Sequence, residues 1–495
     1  MKKYILSIDQ STSATKIMLF DHRGTLQHRV SISHKQYYPQ PGFVEHDPEE
    51  ILRNTLKGIQ LLLKETACPE SDIAALSITN QRETAMIWDR KTGRPIGRAA
   101  VWQCQRGKAF CDELRENQMD NLILEKTGLI IDPYFSASKL KWLVDQNAEC
   151  RELIARGRLM AGTMDSWLAW KLSGDKVHAT DYSNASRTML LNLDSLIWDE
   201  ELLSLFNLDV TMMPEIFHSD KLIGYTDPSI IFNEAVPIAG LMGDSHAALF
   251  GQHCFESGMA KVTYGTGSSI MMNIGKKPVA PPKGLVTSIG WGRMEEIDFV
   301  LEGNIHCTGD TLSWLVNDLE LLPSAEASES LAASLNDNLG VYLVPAFVGL
   351  GAPHWDNQAR ALICGMGRGT GKAHLARAAL ESIAYQVRDL IDLMENAEGI
   401  ELLELRVDGG PTKNNFLMQF QADMLGRPLV RTSMEEISAL GSAFMAGLAV
   451  DFWKDLDEIR SLRLVDRQFE AGMEREQANI LYKGWQKAVA LSKQH

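Results

Sequence analysis

The stretch GDSHAALFG, Gly243 to Gly251, sets an aspartate behind a glycine and ahead of a run that favours helix. Asp is a favoured N-cap, its carboxylate accepting an unpaired backbone N–H of the first turn. The same carboxylate can take a proton from a substrate, so Asp244 is a candidate for both tasks. Two other stretches gather small hydroxyl side chains at turns. DQSTSAT joins the apolar runs YILSI and KIMLFD, and GTGSS joins AKVTY and IMMNI. Each reads as a hairpin with a tip of Ser, Thr or Gly, although ordinary turns use the same residues. A copy in each half of the chain predicts two related domains facing one cleft. LELRVDGGPTKNNFLMQFQADML adds a strand, a glycine pair and a helix from about Asn414. Such a turn lets a ligand come close to the backbone, and the helix N-terminus attracts phosphate or a polar ligand edge.

The elements around these stretches are those of a two-domain protein, because 495 residues exceed what one core holds. The chain is 45% hydrophobic and 23% charged, with a net charge of −15 and no basic run. That disfavours a nucleic-acid surface. Seven cysteines, none in a C-x-x-C pair, argue against a disulfide framework and for a reducing compartment. The N-terminus has no signal-peptide core and no apolar run is long enough to cross a bilayer. A cytoplasmic protein is expected. GRGTGKA, Gly367 to Ala373, fails as a P-loop: Met366 stands where its first glycine belongs and Ala373 where Ser or Thr would bind magnesium. Gly365 to Gly371 are expected to be a plain loop before a core helix HLARAALESIAYQVRDLIDLMENA, whose apolar face carries Leu380, Ile383, Ala384, Val387, Leu390, Ile391 and Met394.

ITNQRETAMIWD, AVWQCQR, TGLIIDPYFSASKLKW, TDYSNASRTML, MAKVTYGTG, VPAFVGLGAPHWD and LRVDGGPTKNNFLMQFQADML follow one another along the chain. With the two hairpins, they resemble the FGGY carbohydrate kinases of the actin and hexokinase superfamily, from Tyr4 to about Trp485. Within the family they resemble most the branch that phosphorylates glycerol. The resemblance implies an α/β protein of two ribonuclease-H-like domains with an interdomain active-site cleft. Residues 1–250 would hold the polyol site and the first phosphate hairpin; residues 251–495 would hold the second hairpin and the adenosine site. It implies ATP and Mg²⁺ as cofactors, a small polyol as substrate, and ATP-dependent phosphorylation of a terminal hydroxyl. Asp244 would be the proton acceptor. Arg82, Glu83, Trp102, Tyr134 and Asp244 match polyol positions, with Ser245 and Ser269 at the substrate's walls. Ser11, Thr12, Ser13, Lys16 and Thr266 match phosphate positions, Gly309, Ser313, Gly410 and Asn414 adenosine positions, and Asp9 the place beside the metal. The oligomeric state stays open, a homo-oligomer included.

These roles suit the chemistry. Phosphoryl transfer spreads charge over the oxygens, so donors at two opposed tips and a hard cation at Asp9 serve it. Arg82 offers forked donors, Glu83 accepts only, and Trp102 gives an apolar wall with an N–H at its rim. Neighbours on a strand face opposite ways, so QRE must lie at a strand end or in a loop if both charged residues touch one ligand. The plainer expectation for Arg82 and Glu83 is a solvated pair, and for Trp102 and Tyr134 a place in the core. His246 is the rival base. Several positions depart from the glycerol branch: Ser245 stands where Gln is usual, Ser269 where Phe is usual, Ser11 for Gly, Lys16 for Arg and Ser313 for Gln. The first two enlarge the pocket and add hydroxyls, which raises a four- or five-carbon polyol or ketose as an alternative substrate. The competing classes are a chaperone-like or cytoskeletal ATPase and a sugar-binding regulator without catalysis.

Overall fold

The apolar runs beside the first hydroxyl-rich turn form antiparallel strands, Tyr4–Gln10 and Ala14–Asp21, with Asp9 opposite Lys16. A computed structural model describes residues 2–397, 399–462 and 465–493. Tyr4–Gln10 also pairs in parallel with Ile73–Asn80, reached through the helix Pro48–Thr66. That helix starts on Asp47, whose carboxylate accepts the Glu49 N–H. Pro237–Gly243 continues the sheet in parallel, while Leu26–Ser33 and Leu222–Tyr225 form its edges.

The second half repeats the plan. Met259–Tyr264 lies antiparallel to Ser268–Gly275 on one side and parallel to Glu404–Gly409 on the other. The seven-stranded sheet runs Val286–Arg293, Glu296–Ile305, Ser268–Gly275, Met259–Tyr264, Glu404–Gly409, Leu429–Thr432, Val465–Phe469. In both sheets a central strand has a hairpin partner and a crossover partner. This is a two-domain α/β fold. The core helix spans Lys372–Asn396, and Leu380, Ile383, Ala384, Val387, Leu390, Ile391 and Met394 are all buried on it. The P-loop-like run before it is a loop with an exposed turn at Arg368 and Gly369.

The helix Ile437–Ala449 crosses back onto the first sheet. Ser442 Oγ lies 3.0 Å from Ser7 Oγ and 3.1 Å from Ser77 Oγ. The same helix packs on the Asp244–Gly251 helix, where a Cβ on Gly441 would collide with the Ala247 carbonyl. Glycine is required there by close backbone approach, and the approach fixes where Asp244 stands. Among the described residues no helix is long and apolar enough to cross a membrane, and all seven cysteines are free.

Candidate active site

Gln81 to Glu83 leave the end of the strand Ile73–Asn80 as a turn, with Glu83 at φ 60°. The bend lets the two neighbouring charged side chains enter one site. Neither is a solvated surface residue, for both are buried. Arg82 donates Nη1 and Nη2 to the two oxygens of Glu302, at 2.8 and 2.7 Å. Arg187 donates Nε to Glu83 Oε1 at 2.7 Å and lies 3.1 Å from Glu302. Four charges, two of each sign, thus form one buried network. Burial opposes ionisation of Glu302, but Arg187 and Arg82 hold its carboxyl well below the usual range. Glu302 comes from Glu296–Ile305 in the second sheet, so the network joins the two halves. Glu302 and Arg187 were missed by sequence reasoning. Their one local signal is a single charge in a stretch otherwise free of charge, in FVLEGNI and NASRTML.

The Asp244 expectation needs one correction. The strand Pro237–Gly243 runs straight into the helix Asp244–Gly251, with extended Gly243 as the N-cap and Asp244 as the first helical residue. The carboxylate accepts the Ser245 N–H at 2.6 Å rather than a donor deeper in the turn. Arg82 Nε lies 3.4 Å from Asp244 Oδ1, and 37% of the Asp244 side chain remains open to the cleft. Desolvation lifts its pKa above the ordinary aspartate value, against the pull of Arg82, the Ser245 N–H and Lys261. A carboxylate moved this way is a better base than a surface one. His246 is different: it is fully buried, its Nε2 lies 3.2 Å from Ser288 Oγ, and burial drives its pKa well down. It packs as a neutral side chain between the Asp244 helix and the second sheet.

Trp102 and Tyr134 are half-buried and meet edge to face at 5.7 Å. Trp102 Nε1 donates to Thr12 Oγ1 at 3.0 Å, tying this aromatic wall to the first hairpin tip. At that tip Ser11 closes the turn on the Ala14 carbonyl, and Ser13 is exposed. Lys16 Nζ binds Glu436 at 2.7 Å, and Arg29 binds the other oxygen of Glu436 at 2.5 Å. Glu436, 420 residues from Lys16, is a further site residue that no local pattern announces. Asp9 is buried, with Lys16 at 3.6 Å, beyond hydrogen-bond reach. Burial raises its pKa to about 7, with Lys16 opposing and Asp244 adding to the rise. A buried carboxylate this poorly compensated suits a hard divalent cation. Among the described residues no three His, Cys, Asp or Glu gather into a metal cage. Asp9 would therefore hold such an ion together with oxygens from the nucleotide and water.

Gly265, Thr266, Gly309, Ser313, Gly410 and Asn414 line one cavity of about 410 Å³. The Gly265 and Thr266 carbonyls accept from the Gly309 and Asp310 N–H groups, which seats the second hairpin tip on a helix start. Gly409 has φ 98°, and its approach to Tyr264 leaves no room for a Cβ. Asn414 caps the helix Asn415–Leu425 by accepting the Leu417 N–H at 2.9 Å and donates to Ser328. Ser269 pairs across strands with Asn304, on the same face as Glu302, and its buried Oγ has no hydrogen-bond partner. Ser245 is half-buried next to Asp244. The polyol candidates and Asp244 are therefore brought together, and the adenosine candidates share a second pocket.

Residues 4–251 match the N-terminal domain of the FGGY family of carbohydrate kinases, and residues 260–450 match its C-terminal domain. The chain belongs to this family. It is 50% identical to glycerol kinase 1 of Thermotoga maritima over 98% of this chain and 99% of that one. It is 49% identical to a glycerol kinase of Carboxydothermus hydrogenoformans, over 100% of this chain and 99% of the relative. The crystal structure of Plasmodium falciparum glycerol kinase with ADP superposes with a TM-score of 0.95 at 36% identity, covering 99% and 98% of the two chains.

Proposed function

We propose that this FGGY kinase transfers the γ-phosphoryl group of ATP to a terminal hydroxyl of glycerol or a closely related polyol. The observation that carries the reading is Asp244, open to solvent, touching Arg82 and near enough to Asp9 to add to the rise of its pKa. Arg82 and Glu83 orient polyol hydroxyls, Trp102 and Tyr134 cover its C–H faces, and Asp244 takes the proton of the attacking hydroxyl. A loose transition state needs that proton late, so a carboxylate of moderately raised pKa suffices. Thr12, Ser13, Lys16 and Thr266 hold phosphate oxygens from both tips. Mg²⁺ beside Asp9 would neutralise charge on those oxygens. Names of relatives support glycerol as substrate, and the ADP complex supports adenine nucleotide in the Gly309–Gly410–Asn414 pocket.

The test is ADP formation with and without added polyol. Strict dependence on polyol is expected; equal ADP release without it would favour a chaperone-like ATPase, and none at all a non-catalytic regulator.

A second reading concerns size. The unpartnered Ser269 hydroxyl favours a polyol one carbon longer than glycerol, whose additional hydroxyl it would bind. A site built to hydrogen-bond a hydroxyl discriminates strongly against an analogue lacking it. Ser269→Ala is then expected to shift the tetritol-to-glycerol ratio of kcat/KM about tenfold towards glycerol, the worth of one hydrogen bond. An unchanged ratio, with glycerol the best of a polyol panel, rejects the longer substrate.

A further inference from the structure

Lys139 is fully buried in the first turn of the helix Ser136–Gln146. A cation there meets the positive end of the helix dipole and has lost its water, two unfavourable terms. Three consecutive carbonyls offset them. Nζ donates to Pro133 O at 3.0 Å, to Tyr134 O, and to Phe135 O at 2.9 Å. An ammonium has three N–H groups, so each donor has an acceptor. A neutral amine has two and must release one carbonyl.

The loop so gripped carries the polyol wall. The Tyr134 N–H is fixed on Asp132 Oδ1 at 2.8 Å, and its ring stands edge-on to Trp102 and to Phe135. Ser136 Oγ donates to the Glu83 carbonyl at 3.2 Å, which ties the loop to the turn bearing Arg82 and Glu83. A staple of loop to helix needs no charge, because an apolar stem or a neutral amide would pack at lower cost. The charge makes sense if three carbonyls must be held at once. We propose that Lys139 is a positioning residue for the polyol: its ammonium locks residues 133–135 so that Tyr134 stays edge-on against Trp102 and the two rings form one wall of the polyol site. The proposal rests on the polyol-kinase reading.

Charged and titratable groups surround it. Glu83 faces it from the turn after Ile73–Asn80, Cys104 from the loop after Ala99–Ala100, Cys111 from the helix Lys108–Glu116, and Asp132 from its own loop. All four favour the ammonium, yet burial outweighs them and brings the pKa down to about 8. The sign follows. Below that pH the grip is complete; above it one carbonyl is released and the loop loosens.

The full-length protein is assayed with glycerol and a tetritol from pH 6.5 to 9.5 at saturating MgATP, beside Lys139→Met. For the wild type, polyol KM should rise with one proton lost near pH 8, the value expected for Lys139. Lys139→Met should raise polyol KM about tenfold or more at neutral pH, as a displaced positioning group does, and lack that rise near pH 8. A wild-type KM flat across the range, or a variant that keeps either the wild-type KM or the alkaline rise, overturns the proposal. If Lys139→Met does not fold, the wild-type profile decides alone. Absence of any phosphorylated polyol at every pH would instead bring down the kinase reading itself.

Discussion

Asp244→Asn lowers kcat by about 10²–10⁴, the usual worth of a positioned general base. Nucleotide affinity should stay close to that of the wild type, because the adenosine pocket lies in the second half and makes no use of Asp244. Asn keeps the oxygen that accepts the Ser245 N–H, so the helix start survives and the loss reports on chemistry rather than folding. Polyol affinity should weaken modestly through the contact with Arg82, which loses its charge partner there. Turnover paired with calorimetric titration of nucleotide checks both halves. A kcat within about tenfold of wild type would reduce Asp244 to a structural residue.

The second large effect concerns the ion network. Glu302→Ala leaves Arg82 and Arg187 buried without their shared carboxylate, and breaking such a pair costs about 3–5 kcal/mol. For a domain near 250 residues this lowers Tm by about 6–20 °C. Glu302→Gln keeps one acceptor oxygen and should fall between wild type and Glu302→Ala. Function should suffer beyond stability: Arg82 is oriented by two hydrogen bonds from the opposite half, so its release should raise polyol KM even in the cold, where the variant is folded. Thermal unfolding together with KM at low temperature separates the two effects. An unchanged Tm would mean the network relaxes without cost.

Much of this was readable in order along the chain because the signals are local. The hairpins follow from apolar runs interrupted by small turn residues, and the helix start near Asn414 follows from the glycine pair that ends the strand before it. Once Arg82 and Glu83 are taken to share one ligand, the alternation of strand side chains requires QRE to lie at a strand end or in a loop. What was hidden depends on distance in sequence. Arg82 and Glu302 are 220 residues apart, and Lys16 and Glu436 are 420 apart. Such partners are set by how two sheets face each other, which no window of sequence carries. The correction at Asp244 has a similar origin: Gly243 is held extended by pairing with Asn80 and takes the cap position itself. The fate of His246 turned on burial against Ser288, again from the other half.

The central claim is that a polyol hydroxyl, presented by Arg82, Glu83 and the Trp102–Tyr134 wall, receives the terminal phosphorus of ATP. Phosphorus NMR of a reaction holding ATP, magnesium and glycerol reads the product directly. The account predicts a new phosphomonoester resonance growing in step with ADP, with little inorganic phosphate, and its loss in Asp244→Asn. Accumulation of inorganic phosphate in place of the ester, with glycerol or any tetritol present, would contradict it.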